Sequence, residues 1–310
     1  MVQGTKGAHL VLDHPDLREM LGDDMVYYEN IDGRICIMFC LHGMVLVGST
    51  DIKVPDPDAV RCEADEQAYI LDGLSWVFPG VTVKPEQVLH VFAGVRPLPV
   101  SGAGTTGQIP RGHFNRWTEG DVPVLSMIGG KWTTFRAFGE LAADQVMTRL
   151  GIARRTGTEA LPIGGGADYP ADRALWCAQV AEQSGLSSDR VATLLERYGT
   201  LAGALGHAFA SERMLSGLPG YSDAEIDYVI AHEQVERLAD LALRRTTLAL
   251  AGALDAAALD VLADRLAQAK GWSPAQRAQE LHNFRVTLAE THGADPNRIG
   301  LHRKGEVAAQ

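Results

Sequence analysis

The 310-residue sequence is short of positive charge: 28 Lys and Arg stand against 39 Asp and Glu, a formal net charge of −11. Affinity for nucleic acid comes mainly from clustered Lys and Arg on phosphates, so no nucleic-acid partner is expected. Attraction to anionic lipid is disfavoured as well, unless one basic face persists within the acidic total. Long hydrophobic runs are also missing. Apolar stretches such as Ile35–Leu41 and Met44–Val47 stop well before the roughly 18–20 residues that a membrane span needs. Cysteine is scarce: Cys36, Cys40, Cys62 and Cys177 include no C-x-x-C pair. Cys36 and Cys40 have the parity of one strand face, which fits buried reduced thiols in a cytoplasmic protein. The opening MVQGTKGAHLVLDHPD has one lysine and a short apolar run, which does not fit a signal peptide.

What is present is a globular composition, with 46% hydrophobic residues and length enough for two cores. Composition shifts once, between residues 151 and 170. Val, Ile, Gly and Pro prevail before it and Ala, Leu, Arg and Glu after it. The intervening GIARRTGTEALPIGGGADYPAD suits an exposed linker. Upstream, HLVLDH, the pair of runs around His42-Gly43, QVLHVFAGVRPL and VPVLSMIGG read as strands, the last as one buried on both faces. ADEQAYILDGLSWV reads as a helix stopped by Pro79-Gly80. KWTTFRAFGELAADQVMTRLG carries Phe135, Phe138, Ala142, Val146 and Leu150 on one helical stripe, with Gly151 as its stop. Downstream, helices are expected over about 171–185, 188–198, 222–248, 254–270 and 274–290, with Asp172, Ser187, Ser222 and Ser273 as caps. The tail 291–310 lacks a stripe and is expected to fray.

Two stretches carry chemistry. In LSMIGGKWTTFR a strand stops at Gly129-Gly130 and a helix begins within a few residues, which would set unpaired N–H groups beside Lys131, Thr133, Thr134 and Arg136 as a site for negative charge. In FAGVRPLP a strand end holds Arg96 between Gly94 and Pro97. Two such strand ends in one sheet would converge at its carboxyl edge, where open α/β sheets bind ligands. Gly102-x-Gly104-x-x-Gly107 has the spacing of a dinucleotide fingerprint, but Pro97, Pro99 and Pro110 deny it both strand and helix, so a glycine-rich loop is the better reading. His232-Glu-Gln-Val-Glu236 falls one ligand short of a zinc motif and reads as a helix-surface charge cluster, with no metal. His90 reads as a structural histidine, with catalysis beside Arg96 as its rival. Arg237, Arg244 and Arg245 read as a solvated face, with a peripheral contact on the inner face of the cell membrane as the rival.

KGAHLVL, MVLVGSTDIKVPDPDAV, FAGVRPLP, LSMIGGKWTTFRAFGELAAD and YVIAHEQVERLADLALRRT together resemble, in order, the C-terminal half of FAD-dependent, quinone-linked glycerol-3-phosphate dehydrogenases. The second pair echoes the G-V-R-P-L and G-G-K-[LW]-T-T-[YF]-R motifs of those enzymes. The resemblance implies an α+β part followed by an all-α part. Residues 1–90 would be the sheet of a substrate domain, 91–150 the closing strands and helix of an FAD-binding domain, 151–170 a linker, 171–290 a helical domain and 291–310 a tail. It implies that Gly129, Gly130, Lys131, Trp132 and Thr133 approach the flavin. It further implies that Arg96, with Lys131 and Arg111, binds a phosphorylated polyol. A segment of roughly two hundred residues that holds the ADP half of FAD in those enzymes is expected to be supplied from outside this chain. FAD is accordingly expected not to be retained by the chain alone, and exposed apolar surface is expected to drive homo-oligomerisation.

The implied reaction is oxidation of sn-glycerol 3-phosphate to dihydroxyacetone phosphate with electrons passed to a quinone. The rivals are a dehydrogenase of another polyol phosphate, such as erythritol phosphate, and a non-enzymatic interaction module.

Overall fold

A computed structural model of the chain describes residues 2–58, 60–100, 109 and 112–297. Gly102, Gly104, Gly107 and Arg111 lie outside the described residues, as does the tail from 298 on. The chain divides into two compact units. One gathers Met1–Gly7, Thr50–Val60 and Ala93–Ile163, and the other Ala8–Ser49, Arg61–Phe92 and Gly164–Gln310. Residues 1–90 therefore contribute to both units, which are assembled from pieces distant in sequence.

In the larger unit, an antiparallel sheet joins β1 (Val2–Leu12), from His9 onward, to β4 (Met44–Gly48), then to β3 (Ile35–Leu41) and β2 (Val26–Glu29). Leu10 faces Val47, Leu12 faces Val45 and Met38 faces Val47; all are buried, so the alternation of the sequence fixes the register. His42 and Gly43 both take positive φ, 49° and 78°, the twist that a two-residue hairpin needs. Two short helices flank these strands: α1 (Pro15–Leu21), whose first turn is capped by the His14 ring, and α2 (Ala64–Val77), which buries Ile70 and Leu74. Cys36, Cys62 and Cys177 are buried cysteines outside any disulfide, and Cys40 is a half-buried one.

The rest of the larger unit is helical. Between β4 and this part the chain crosses the smaller unit, where it forms β5 (Ile52–Val54), β6 (Val88–Pro99, begun in the larger unit), β7 (His113–Thr118), β8 (Val124–Gly129) and α3 (Phe135–Arg149). The helices are α4 (Arg173–Ser184), α5 (Ser188–Tyr198), α6 (Ala202–Ala208), α7 (Asp223–His232), α8 (Ala256–Lys270) and α9 (Pro274–His292). Asp172, Ser187, Ser222 and Ser273 each accept a first-turn N–H, as their positions predict. Val191, Leu194 and Leu195 centre one helical core; Ile226, Leu238, Leu262 and Phe284 centre another. The single helix expected over 222–248 is broken. After His232 the chain turns through Gln234 (φ 55°), sinks Val235 and Leu238 into the core, and re-forms as a π-helical turn over Asp240–Arg245. The tail expected to fray from 291 is packed as far as described, for Ala294 is buried and the Pro296 carbonyl accepts the Ala256 N–H. Among the described residues, no helix is long and apolar enough to cross a membrane.

In the smaller unit, the start of β1 pairs antiparallel with β5, and β7 with β8 as a two-stranded ribbon. Helix α3 packs on that ribbon: Phe138 lies 4.5 Å from the His113 ring, and the Arg149 guanidinium sits 4.5 Å over Trp117. The apolar stripe of α3 is buried only at Phe138 and Ala142; Phe135 and Leu150 are exposed. Nor is β8 buried on both faces, since Val124 and Met127 are exposed. A two-stranded ribbon with one helix covers one face only.

Candidate functional site

The smaller unit holds a cleft of about 630 Å³, lined by Val95, Arg96, Pro97 and Leu98 of β6, by Met127, Gly129, Gly130 and Lys131 at the end of β8, and by Trp132, Phe135 and Phe138 beyond it. The two motifs expected to converge do so. They come from different sheets, however: β6 pairs with β1, whereas β8 belongs to the ribbon. Convergence at the edge of one sheet is therefore not the geometry that brings them together.

Glycine is required where the ribbon turns into the helix. Gly129 (φ 76°) is pressed on the Gly112 carbonyl, and a Cβ on Gly130 (φ 99°) would crowd the Phe138 ring at 3.3 Å. The α-helix itself starts later than the sequence implies. Trp132–Thr134 form a 3-10 turn, and Thr134 Oγ1 accepts the Lys131 N–H at 3.1 Å, so α3 proper begins at Phe135. The positive character of the cleft thus comes from the Arg96 and Lys131 side chains more than from a helix end. Arg136 does not add to it, because its guanidinium bonds Glu140 (3.0 Å) and Thr158 (2.7 Å). Thr133 is exposed on the turn and is absent from the lining.

Arg96 is set by two residues that carry no role in the sequence reading. Its Nη1 lies 3.5 Å from Oδ1 of Asp51, whose side chain is wholly buried. A Cβ built on Gly7 would lie 2.7 Å from the Arg96 Cζ, so the guanidinium rests where only glycine leaves room. The signals were present in KGAHLVL and GSTD, but neither names its target without the fold. Around these cations the cleft is apolar and partly aromatic, with Trp132, Phe135 and Met127 largely exposed. An anionic group beside a flat apolar ring is the chemistry such a lining accommodates.

Residues 156–277 match the family described as the C-terminal domain of alpha-glycerophosphate oxidase. The glycerol-3-phosphate dehydrogenase of Synechocystis sp. is 28% identical over 298 residues, which are 91% of this chain and 52% of the relative. The aerobic glycerol-3-phosphate dehydrogenase of Staphylococcus aureus is 28% identical over 289 residues, 88% of this chain and 50% of the relative. Over most of its length the chain is similar to glycerol-3-phosphate dehydrogenases. It spans about half the length of the relatives it matches. In fold it is similar to a glycerol-3-phosphate dehydrogenase of Bacillus halodurans solved with FAD, with a TM-score of 0.74 at 22% identity over 95% of this chain and 58% of that one. The antiparallel sheet with a helical C-terminal part that the resemblance implied is the architecture found.

The other candidate groups of this chain are engaged structurally. His90 is buried and stacked on His292. His232 packs on the Tyr228 ring, and Glu236 pairs with Lys270. Arg237, Arg244 and Arg245 do not share one helix; they pair with Glu280, Asp240 and Glu233, respectively.

Proposed function

We propose that this chain provides the substrate-phosphate and flavin-facing part of an FAD-dependent oxidation of sn-glycerol 3-phosphate to dihydroxyacetone phosphate, with a quinone as the electron acceptor. The carrying observation is the shared cleft, in which Arg96 and Lys131 stand beside the glycine turn and an apolar, aromatic wall. Arg96 offers a planar fork for two phosphate oxygens and Lys131 a flexible point charge. Gly129 and Gly130, bare of side chains, let a ring approach the backbone, and Trp132 with Met127 gives it an apolar face. FAD, when bound there, supplies the acceptor for the hydride that leaves the carbinol carbon as the hydroxyl proton passes to a base. Among the described residues that line the cleft there is no carboxylate and no imidazole. These residues therefore bind and orient, and the base is assigned to none of them. Homo-oligomerisation and a peripheral membrane contact belong to the same proposal. They are supported by exposed apolar side chains such as Val122, Leu150 and Ile152 in the smaller unit, and by the partly exposed Arg237 and Arg244 in the larger.

The test is a calorimetric titration of the full chain, with FAD present, by glycerol 3-phosphate, erythritol 4-phosphate and glycerol. Binding of the phosphates but not of glycerol is expected. Arg96→Ala should weaken it by about 1.5–3 kcal/mol, the range of a hydrogen bond to a charged group. Equal binding of glycerol and its phosphate, or an unaltered affinity in the Arg96 variant, would remove the phosphate from this cleft.

A further inference from the structure

A long guanidinium on a strand end is useful for recognition only if its plane is fixed, since each rotamer it explores lowers the fraction competent to meet a ligand. Arg96 is two-thirds withdrawn from solvent, with 30% of its side chain exposed, and it has a floor and a wall. The floor is the backbone at Gly7, where any side chain would meet the guanidinium itself. The wall is the Asp51 carboxylate, 3.5 Å from Nη1 and fully desolvated. Gly7 lies on β1, one residue beyond Lys6, which pairs with Ile52; Asp51 immediately precedes Ile52. The β1–β5 pairing therefore brings floor and wall together below the end of β6.

We propose that Asp51 and Gly7 are positioning residues that hold the Arg96 guanidinium in one orientation at the rim of the cleft for a phosphate monoester, an inference that rests on the phosphate reading of that cleft. Asp51 is an unexpected neighbour for an anion site, because its negative charge opposes the ligand it would help to bind. That opposition separates positioning from plain electrostatics. If Asp51 acted only through its charge, Asp51→Asn would tighten anion binding. If it sets the Arg96 plane, the same isosteric change weakens binding even though the net charge rises by one. The Lys131 ammonium, on a flexible stem and exposed, needs no such seat.

The experiment uses the full chain labelled with ¹⁵N-arginine. It follows rotation about the Arg96 Nε–Cζ bond, with the signal assigned by its loss in Arg96→Lys, and titrates inorganic phosphate as the probe. In the unaltered protein the Arg96 guanidinium is expected to rotate slowly. Asp51→Asn and Gly7→Ala should free it and raise the phosphate Kd by roughly tenfold or more, the scale set by losing one oriented charged hydrogen bond. The melting temperature of each variant reports whether it has folded; should neither fold, slow or fast rotation in the unaltered protein still decides. Free rotation there, or phosphate binding that is unchanged or tighter in Asp51→Asn, overturns the proposal. Slow rotation released by both variants, with no phosphate binding in any protein, upholds the seat and sinks the phosphate reading instead.

Discussion

The imidazole of His90 is stacked on that of His292, with ring centroids 4.6 Å apart and planes inclined by 13°. His292, the last residue of α9, meets the Val91 carbonyl through Nδ1 at 2.9 Å, so the pair fastens the end of α9 to β6 inside the larger unit. Burial, and then the nearby His292, push the His90 imidazole down to about 3. Burial is also the main cause that lowers His292, with the Arg244 charge acting in the same direction against the Val91 bond. The folded state therefore binds fewer protons than the unfolded chain below the ordinary histidine value of 6.5, and stability falls as acid is added. His90 contributes nothing to this slope above pH 6.5, and its penalty grows between pH 6.5 and about 3. By pH 5 it amounts to about 2 kcal/mol. Urea midpoints taken between pH 7.5 and 4.5 should show a shallower acid decline in His90→Phe than in the unaltered protein. Parallel declines would rule out the pair as the origin.

A buried carboxylate fastens α5 to α7. Glu225 accepts from Arg190 (2.8 Å), Arg197 (2.8 Å) and the Tyr198 hydroxyl (2.9 Å), and its side chain has no exposed surface. Burial, with the charge of Glu225, pushes the Tyr198 phenol upward. Removing Glu225 strips Arg197 and the Tyr198 hydroxyl of their buried acceptor, while Arg190 keeps Glu212 at 2.6 Å. Glu225→Ala should therefore cost about 3–5 kcal/mol in denaturant unfolding. Arg213→Ala, which cuts an exposed pair with Asp223, should cost under about 1 kcal/mol. Equal effects of the two substitutions would contradict the burial argument.

Helix caps transferred from sequence to structure, whereas helix breaks and the pairing that sets side chains across the fold did not. Asp172, Ser187, Ser222 and Ser273 cap helices because a cap needs only the next three residues. The break after His232 was hidden: HEQVERLADLALRR has good helix formers, and what ends the helix is the burial of Val235 and Leu238. Asp240, accepting the N–H groups of Glu236 and Arg237, and Glu280, accepting that of Leu238, stabilise the turn. In the cleft, Arg96 and Lys131 stood out because each adjoins conformationally special residues, Arg96 before Pro97 and Lys131 after Gly129-Gly130, although β6 runs on past Arg96 to Pro99. Gly7 and Asp51 were not, since their meaning appears only when β1 and β5 pair. The loss of Arg136 to Glu140 was readable in principle from the i,i+4 spacing.

Glycine at 165 is demanded by a close backbone crossing within the larger unit. A Cβ there would collide with the Tyr198 carbonyl oxygen and fall 2.7 Å from Gly199 Cα. Thr200 Oγ1 ties the same crossing down by donating to the carbonyls of Gly165 (3.0 Å) and Ala167 (2.7 Å). Gly165→Ala should destabilise by about 1–3 kcal/mol, as overpacking does. Gly164→Ala, with nothing within 4 Å of its Cβ, should cost only the strain of its positive φ. Limited proteolysis between residues 152 and 172 is the sensitive readout, and faster cleavage is expected in the Gly165 variant alone.

Trp132 separates what holds the fold from what faces a ligand. It is 92% exposed, the most exposed of the large hydrophobic side chains among the described residues, yet it lines the cleft between Lys131 and Phe135. A side chain with so few neighbours adds little to folding, so Trp132→Ala should shift stability by no more than about 0.5 kcal/mol. If the indole forms a wall for a flavin ring, the same change should weaken FAD binding by about 0.5–1.5 kcal/mol, the worth of an aromatic pair beyond its buried area. Phe138→Ala should behave oppositely, because that ring is buried between Gly130 and His113, and its loss opens a cavity at a cost of about 3–5 kcal/mol. Quenching of FAD fluorescence on titration with each protein, read beside its melting temperature, distinguishes the two residues. A Trp132 variant that melts several degrees lower yet quenches FAD as the unaltered chain does would make Trp132 a packing residue and remove it from the flavin face.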